Sequence, residues 1–161
     1  MRSLVLRSPV LVVLLVLAVL GGATLADVSA VRLPKQFRSW SHVRSLAVLE
    51  PQHEMYGFHD GYANPPALQA LRSKARPVSY PDGATFVVSI YEIVTTEGIT
   101  RAGPKRRDVV QVKDRTAATT GGWRFAAFDP AGRPIPIDPS TCAGCHARAK
   151  ESDFVFATYA E

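Results

Sequence analysis

One short segment constrains this chain more than any other: Thr141-Cys142-Ala143-Gly144-Cys145-His146. Cys-x-x-Cys-His is the spacing of covalent haem attachment. Two thiols can reach the two vinyl groups on one side of a porphyrin, and the next residue brings an imidazole under the iron as axial ligand. Only Ala143 and Gly144 stand between the cysteines, which lets the backbone lie close to a macrocycle. The reading is one haem c per chain, bound through Cys142 and Cys145, with His146 as metal ligand. A disulfide and a zinc site are the alternatives. Structural zinc usually takes four ligands, often in separated pairs. Cys142 and Cys145 are the only cysteines, and His42, His53 and His59 lack paired-ligand spacing. A thioredoxin-like redox motif would sit near the start of a βαβ unit.

The first segment carries an export signature. Arg2 and Arg7 precede an apolar run from Val10 to Leu20, and Thr24-Leu25-Ala26 offers small residues for cleavage. This is the layout of a secretory signal peptide, expected to be residues 1–26, with cleavage after Ala30 as an alternative. The apolar run is short for a membrane span, so an uncleaved anchor is the weaker option. The expected location is periplasmic, where haem is joined to reduced thiols after export.

Residues 27–161 suffice for a single haem domain. Without Arg2 and Arg7 the chain has 17 basic and 14 acidic residues, a net charge of about +3. Two haem propionates would offset most of that. The basic residues form no stripe with interleaved aromatics, so nucleic acid is not an expected partner. Lys105-Arg106-Arg107 is expected to be a solvated loop end or a propionate partner.

Element by element, Phe37, Trp40, Val43, Leu46 and Ala47 recur at helical spacing, which predicts a helix over Gln36–Leu49 ended by Pro51. His53 to Asn64 reads as a loop or short strand. Asn64-Pro65-Pro66 is a helix start, with a short helix over Ala67–Lys74. Tyr80-Pro81-Asp82-Gly83 is a turn that launches the strand Ala84–Val94, with Phe86, Val88 and Ile90 on one face and Val87, Ser89 and Tyr91 on the other. A loop from Glu97-Gly98 to Gly103-Pro104 should lead to a strand over Arg107–Lys113. A third strand covers Trp123–Phe128. An irregular stretch then leads to a one-turn helix bearing the cysteines, and Asp153-Phe154-Val155-Phe156 packs the tail back. The expected class is α+β and β-dominated: an antiparallel sheet with a few short helices and a C-terminal haem-attachment motif. Four long helices are not compatible with Tyr80–Phe128.

In order and spacing these residues resemble the cytochrome P-460 and cytochrome c-prime-beta family. The resemblance runs through Gly57-Phe58-His59-Asp60, Tyr62-Ala63-Asn64, Tyr80-Pro81-Asp82-Gly83-Ala84, Val112-Lys113-Asp114, Thr120-Gly121-Gly122-Trp123-Arg124-Phe125, the Cys142–His146 motif and Asp153-Phe154-Val155-Phe156. It implies a mainly antiparallel β domain, a homodimer, and a five-coordinate haem with His146 proximal and the other face open. Hydroxylamine-oxidising members carry a haem-linked lysine, which would fall at Val88. Their distal carboxylate would fall near Val109, with Asp108 facing the other way. The strand Ala84–Val94 contains no lysine, and Lys74 lies before the turn.

The expectation is therefore a gas-binding cytochrome rather than an enzyme. Its ligand would be nitric oxide, carbon monoxide or a similar small gas, on a distal face lined by Phe86, Val88 and Val109. Phe58, Phe125 and Phe128 are further candidate walls, and Arg124 a propionate partner. The alternatives are a haem oxidoreductase acting on hydroxylamine or nitric oxide, and a simple electron carrier in which Met55, His53 or His59 supplies a sixth ligand.

Overall fold

The computed structural model describes residues 31–73 and 75–157. The expected leader and Lys74 lie outside them. The fold is a β-dominated α+β domain built on a six-stranded antiparallel sheet in which strand order follows chain order. The strands are β1 (Ser41–Val48), β2 (Gly57–Ala63), β3 (Thr85–Thr96), β4 (Ile99–Lys113), β5 (Trp123–Phe128) and β6 (Pro134–Ile135). Two helices join it, α1 (Pro65–Arg72) between β2 and β3, and α2 (Pro139–His146) after β6.

The predicted helix over Gln36–Leu49 is not formed; a 3-10 turn, Phe37–Ser39, is followed by β1. The cause is a register shift between His42 and Arg44 against β2. A bulge places one extra residue in a strand and breaks its alternation. Val43, Leu46 and Ala47 consequently mimic a helical period although the backbone is extended. The loop expected between Glu97 and Pro104 is also strand. Glu97 and Gly98 both have positive φ (53° and 78°), the two-residue turn that matches strand twist, and Thr96 pairs with Ile99. Gly103 and Pro104 fall where the β3–β4 register slips between Tyr91 and Ile93. They mark a bulge in a continuous hairpin.

β3, β5 and both helices lie close to the expected positions. Asn64 explains how α1 is placed. Its Oδ1 accepts from the backbone of Ala67 (3.0 Å) and Thr85 (2.9 Å), and its Nδ2 donates to the Gly83 carbonyl (2.9 Å). One amide thus caps α1 and ties the end of β2 to the start of β3. Asn64→Ala removes the cap and strands the Thr85 N–H, so a loss of about 2 kcal/mol is expected in urea unfolding.

The two faces of the sheet differ. On one, Phe37 closes over Val87, Val110 and Phe128. On the other, Tyr80, Phe86, Trp123 and Phe125 pack with Ala67 of α1, Ala143 of α2 and Val155 of the tail. The second face holds the core that seats the cysteine motif.

Candidate functional site

α2 begins at Asp138, whose carboxylate accepts from the Ser140 N–H (2.8 Å) and from the hydroxyls of Ser140 (2.7 Å) and Thr141 (3.0 Å). Pro139 occupies the first turn, where its missing N–H costs nothing. The helix sets Cys142 half-buried against the core and Cys145 exposed, and both are free thiols. Burial pushes the Cys142 thiol up, and Glu54 and Asp138 add to it. Ala143 is small because it packs in the core. Gly144 has no such reason: a Cβ there would meet no protein atom within 4 Å. Among the described residues no group of three or more His, Cys, Asp or Glu side chains is placed to hold a metal ion.

His146, at the end of α2, is the best-defined group of the site. Its Nδ1 lies 2.7 Å from the Phe154 carbonyl oxygen. A carbonyl only accepts, so in the neutral ring Nδ1 carries the proton and Nε2 keeps its lone pair. Phe125 and Phe156 rings flank the imidazole, each with its centroid 5.2 Å away. Burial holds the His146 pKa below the ordinary value, with the Phe154 bond pulling the other way. A neutral imidazole with a fixed tautomer and a free nitrogen is the form that ligates a metal.

His146 and Cys145 open onto a half-open cavity of about 320 Å³, within the range of small-molecule and cofactor sites. Phe86, Val87, Val88, Gly61, Leu46 and Val48 form its sheet wall, and Val155, Phe156 and Ala157 belong to the tail. An apolar cavity reached by one cysteine and one free imidazole nitrogen fits a macrocycle held by thioethers and a single axial histidine. Phe86 and Val88 line it. Val109 pairs with Val88 and shares its face, but is not among the lining residues. Arg124 is also outside the lining; its Nε donates to Asp114. Of the other candidate walls, Phe125 packs on His146 and Phe128 belongs to the opposite face.

Several lining residues were not brought together by the sequence. Arg44, Leu46 and Val48 come from β1, which reads as a helix in the sequence. His53, Met55 and His59, named from the sequence only as candidate sixth ligands, all line the cavity, although each stands in a stretch without clear period. The basic cluster on β4 explains part of this. Arg106 donates to the Tyr56 carbonyl and Arg107 to that of Glu54, with Met55 Sδ 3.8 Å from Arg107. Lys105 pairs instead with buried Asp108 at 2.8 Å. The cluster therefore anchors the 50–56 loop and is not a free loop end.

His59 is buried, and its Nε2 lies 2.6 Å from the Met55 carbonyl. Its pKa is lowered chiefly by burial, while Arg107, His53 and Arg44 disfavour a charge further. The sign for stability follows from linkage. The unfolded chain protonates this ring first as pH falls below about 6.5, so folding weakens on the acid side until the folded form also takes the proton. His59→Gln should flatten this part of a stability profile measured by denaturant unfolding between pH 7.5 and 5.

A comparison with curated proteins finds no match. The model of the family described as Cytochrome P460 matches residues 34–157, which span all six strands and the cysteine-bearing helix. The chain belongs to the Cytochrome P460 family and is a haem-binding cytochrome.

Proposed function

We propose that this cytochrome carries one haem c, attached through Cys142 and Cys145 with His146 as axial ligand, and binds nitric oxide or a similar small neutral gas after export to the periplasm. The observation that carries this reading is the composition of the sheet wall. Phe86 and Val88 face the cavity, at and beside the position where the resemblance would place a crosslinking lysine. Asp108 is turned to the other face, bonded to Ser89 (2.6 Å) and Lys105 (2.8 Å). Among the described residues, no lysine, aspartate or glutamate lines the cavity.

Bound haem would supply an iron position at which a diatomic ligand can coordinate. The chain's residues then have separable tasks. The Phe154 carbonyl orients His146, Phe125 and Phe156 hold its ring, and the valines and Phe86 disfavour water and anions. Arg44 lines the cavity with its Nη1 2.6 Å from the Phe156 carbonyl, and beside Arg124 it is a second candidate to pair with a haem propionate.

A second reading, oxidoreduction of hydroxylamine, is favoured by His59. With Nε2–H committed to Met55, its Nδ1 keeps a lone pair and can accept a proton from a protic substrate. The deciding experiment is an optical spectrum of the reduced haem-loaded protein with nitric oxide and, separately, of the ferric protein with hydroxylamine. The gas-binding reading expects an ordinary high-spin haem c spectrum that changes with nitric oxide, and no turnover of hydroxylamine. Steady hydroxylamine consumption that is lost in His59→Leu would move the assignment to the enzyme. A low-spin spectrum without gas response would make the protein an electron carrier.

A further inference from the structure

Gln111 is a buried amide on β4, between Phe86 of β3 and Phe125 of β5. An apolar side chain of similar volume would suit those neighbours, so the amide requires another reason. Its Nε2 donates to the Phe154 carbonyl at 3.1 Å. That oxygen also takes the His146 Nδ1–H, at 2.7 Å. A carbonyl oxygen has two lone pairs, and here one serves the iron ligand and the other serves the sheet.

The carbonyl is not free to choose between them. Asp153 and Phe154 both have positive φ, 50° and 62°, although neither is glycine. Such backbone persists only where surrounding contacts over-determine it. Asp153 is held at each end: Oδ2 accepts from Tyr80 N (2.9 Å), Oδ1 from Lys113 Nζ (2.6 Å), and its carbonyl from Trp123 Nε1 (2.9 Å). The Phe154 ring also lies against Gly121, where a Cβ would come within 2.5 Å of it. The carbonyl direction is therefore set by the sheet and not by His146.

We propose that Gln111 is a positioning residue that tunes the iron ligand: by sharing the Phe154 carbonyl it weakens the pull on the His146 Nδ1 proton and lowers the electron-donating strength of Nε2. Two donors on one oxygen divide its electron density, whereas an unshared acceptor draws the imidazole toward imidazolate. Partners of this kind raise ligand basicity and shift metal properties. The inference rests on His146 being the axial ligand, as proposed above.

The test compares haem-loaded wild type with Gln111→Met, which keeps length and volume and deletes the N–H donors. Resonance Raman of the ferrous protein should show the iron–imidazole stretch moved to higher frequency, and redox titration a lower midpoint potential. Gln111→Asn, which keeps the amide but is too short to reach, should shift both in the same direction and serves if the methionine variant does not fold. A stretch and potential unchanged in a folded variant would overturn the proposal, as would shifts of opposite sign. If wild type shows no iron–imidazole band at all, the axial assignment of His146 fails, and that outcome differs from a band that is present and unmoved.

Discussion

Lys113→Met is expected to destabilise the protein by about 3–5 kcal/mol, the usual consequence of removing one member of a buried ion pair. Lys113 Nζ lies 2.6 Å from Asp153 Oδ1, with the two side chains 8% and 15% exposed. The ammonium also sits 5.0 Å from the centre of the Trp123 ring. Methionine keeps the aliphatic stem that packs there, so the loss isolates the charge. What remains is an Asp153 carboxylate out of water with the Tyr80 N–H on its other oxygen. The Tyr80 hydroxyl already registers this environment, pushed up to about 12 by burial and by Asp153. Urea unfolding of Lys113→Met, Asp153→Asn and the double variant provides the check. The double variant should recover much of the loss, because a neutral amide no longer needs a cation. A cost under about 1 kcal/mol for Lys113→Met would mean that the pair behaves like a surface salt bridge and that other contacts hold the tail.

Lys113, Gln111 and Trp123 all project from the sheet face that carries Phe86 and Phe125, and each reaches the tail at Asp153 or Phe154. None of this could be read from the chain in order. A sequence pattern reports side-chain periodicity, and the acceptors here are the Phe154 and Asp153 backbone carbonyls and the Asp153 carboxylate, which lie 43, 30 and 40 positions downstream of their donors. The αL turn at Asp153-Phe154 has no glycine to announce it.

Where local chemistry decides the structure, the sequence was legible. β5 covers the predicted Trp123–Phe128, because Gly121-Gly122 starts it and its residues other than Arg124 are aromatic or small. The alternation of Phe86 against Val87 correctly assigned Phe86 to the core that seats α2 and Val87 to the opposite one, although Val87 also borders the cavity. Asn64-Pro65 fixed the start of α1 through a cap that needs only near neighbours. β2 was harder to see. Its inward positions are Gly57, His59, Gly61 and Ala63, so alternation is present but not apolar. The small inward residues leave room for the cavity, and that requirement removed the hydrophobic signal that would have marked the strand. β1 failed for a related reason, since its bulge sets the residues that line the cavity out of phase.

Replacing both Cys142 and Cys145 by alanine should abolish haem that stays with the chain after denaturation. The prediction follows from both thiols being free, on the helix whose last residue presents an unprotonated Nε2 to the cavity. The single variants separate the two roles. Cys145 is exposed, so Cys145→Ala should leave folding nearly unchanged and one thioether in place. Cys142 packs against the core, and its alanine variant carries an added packing loss of about 1 kcal/mol. Haem staining of denaturing gels, with protein from cells that mature c-type cytochromes, distinguishes these cases, and intact mass gives the same answer independently. His146→Ala provides the internal control: the macrocycle should remain attached to the denatured chain while the iron loses its axial nitrogen and the absorption spectrum shifts. Haem retained on the double variant after denaturation would require another covalent link. Lys74, whose side chain could supply an amine, would be the first residue to map by peptide mass.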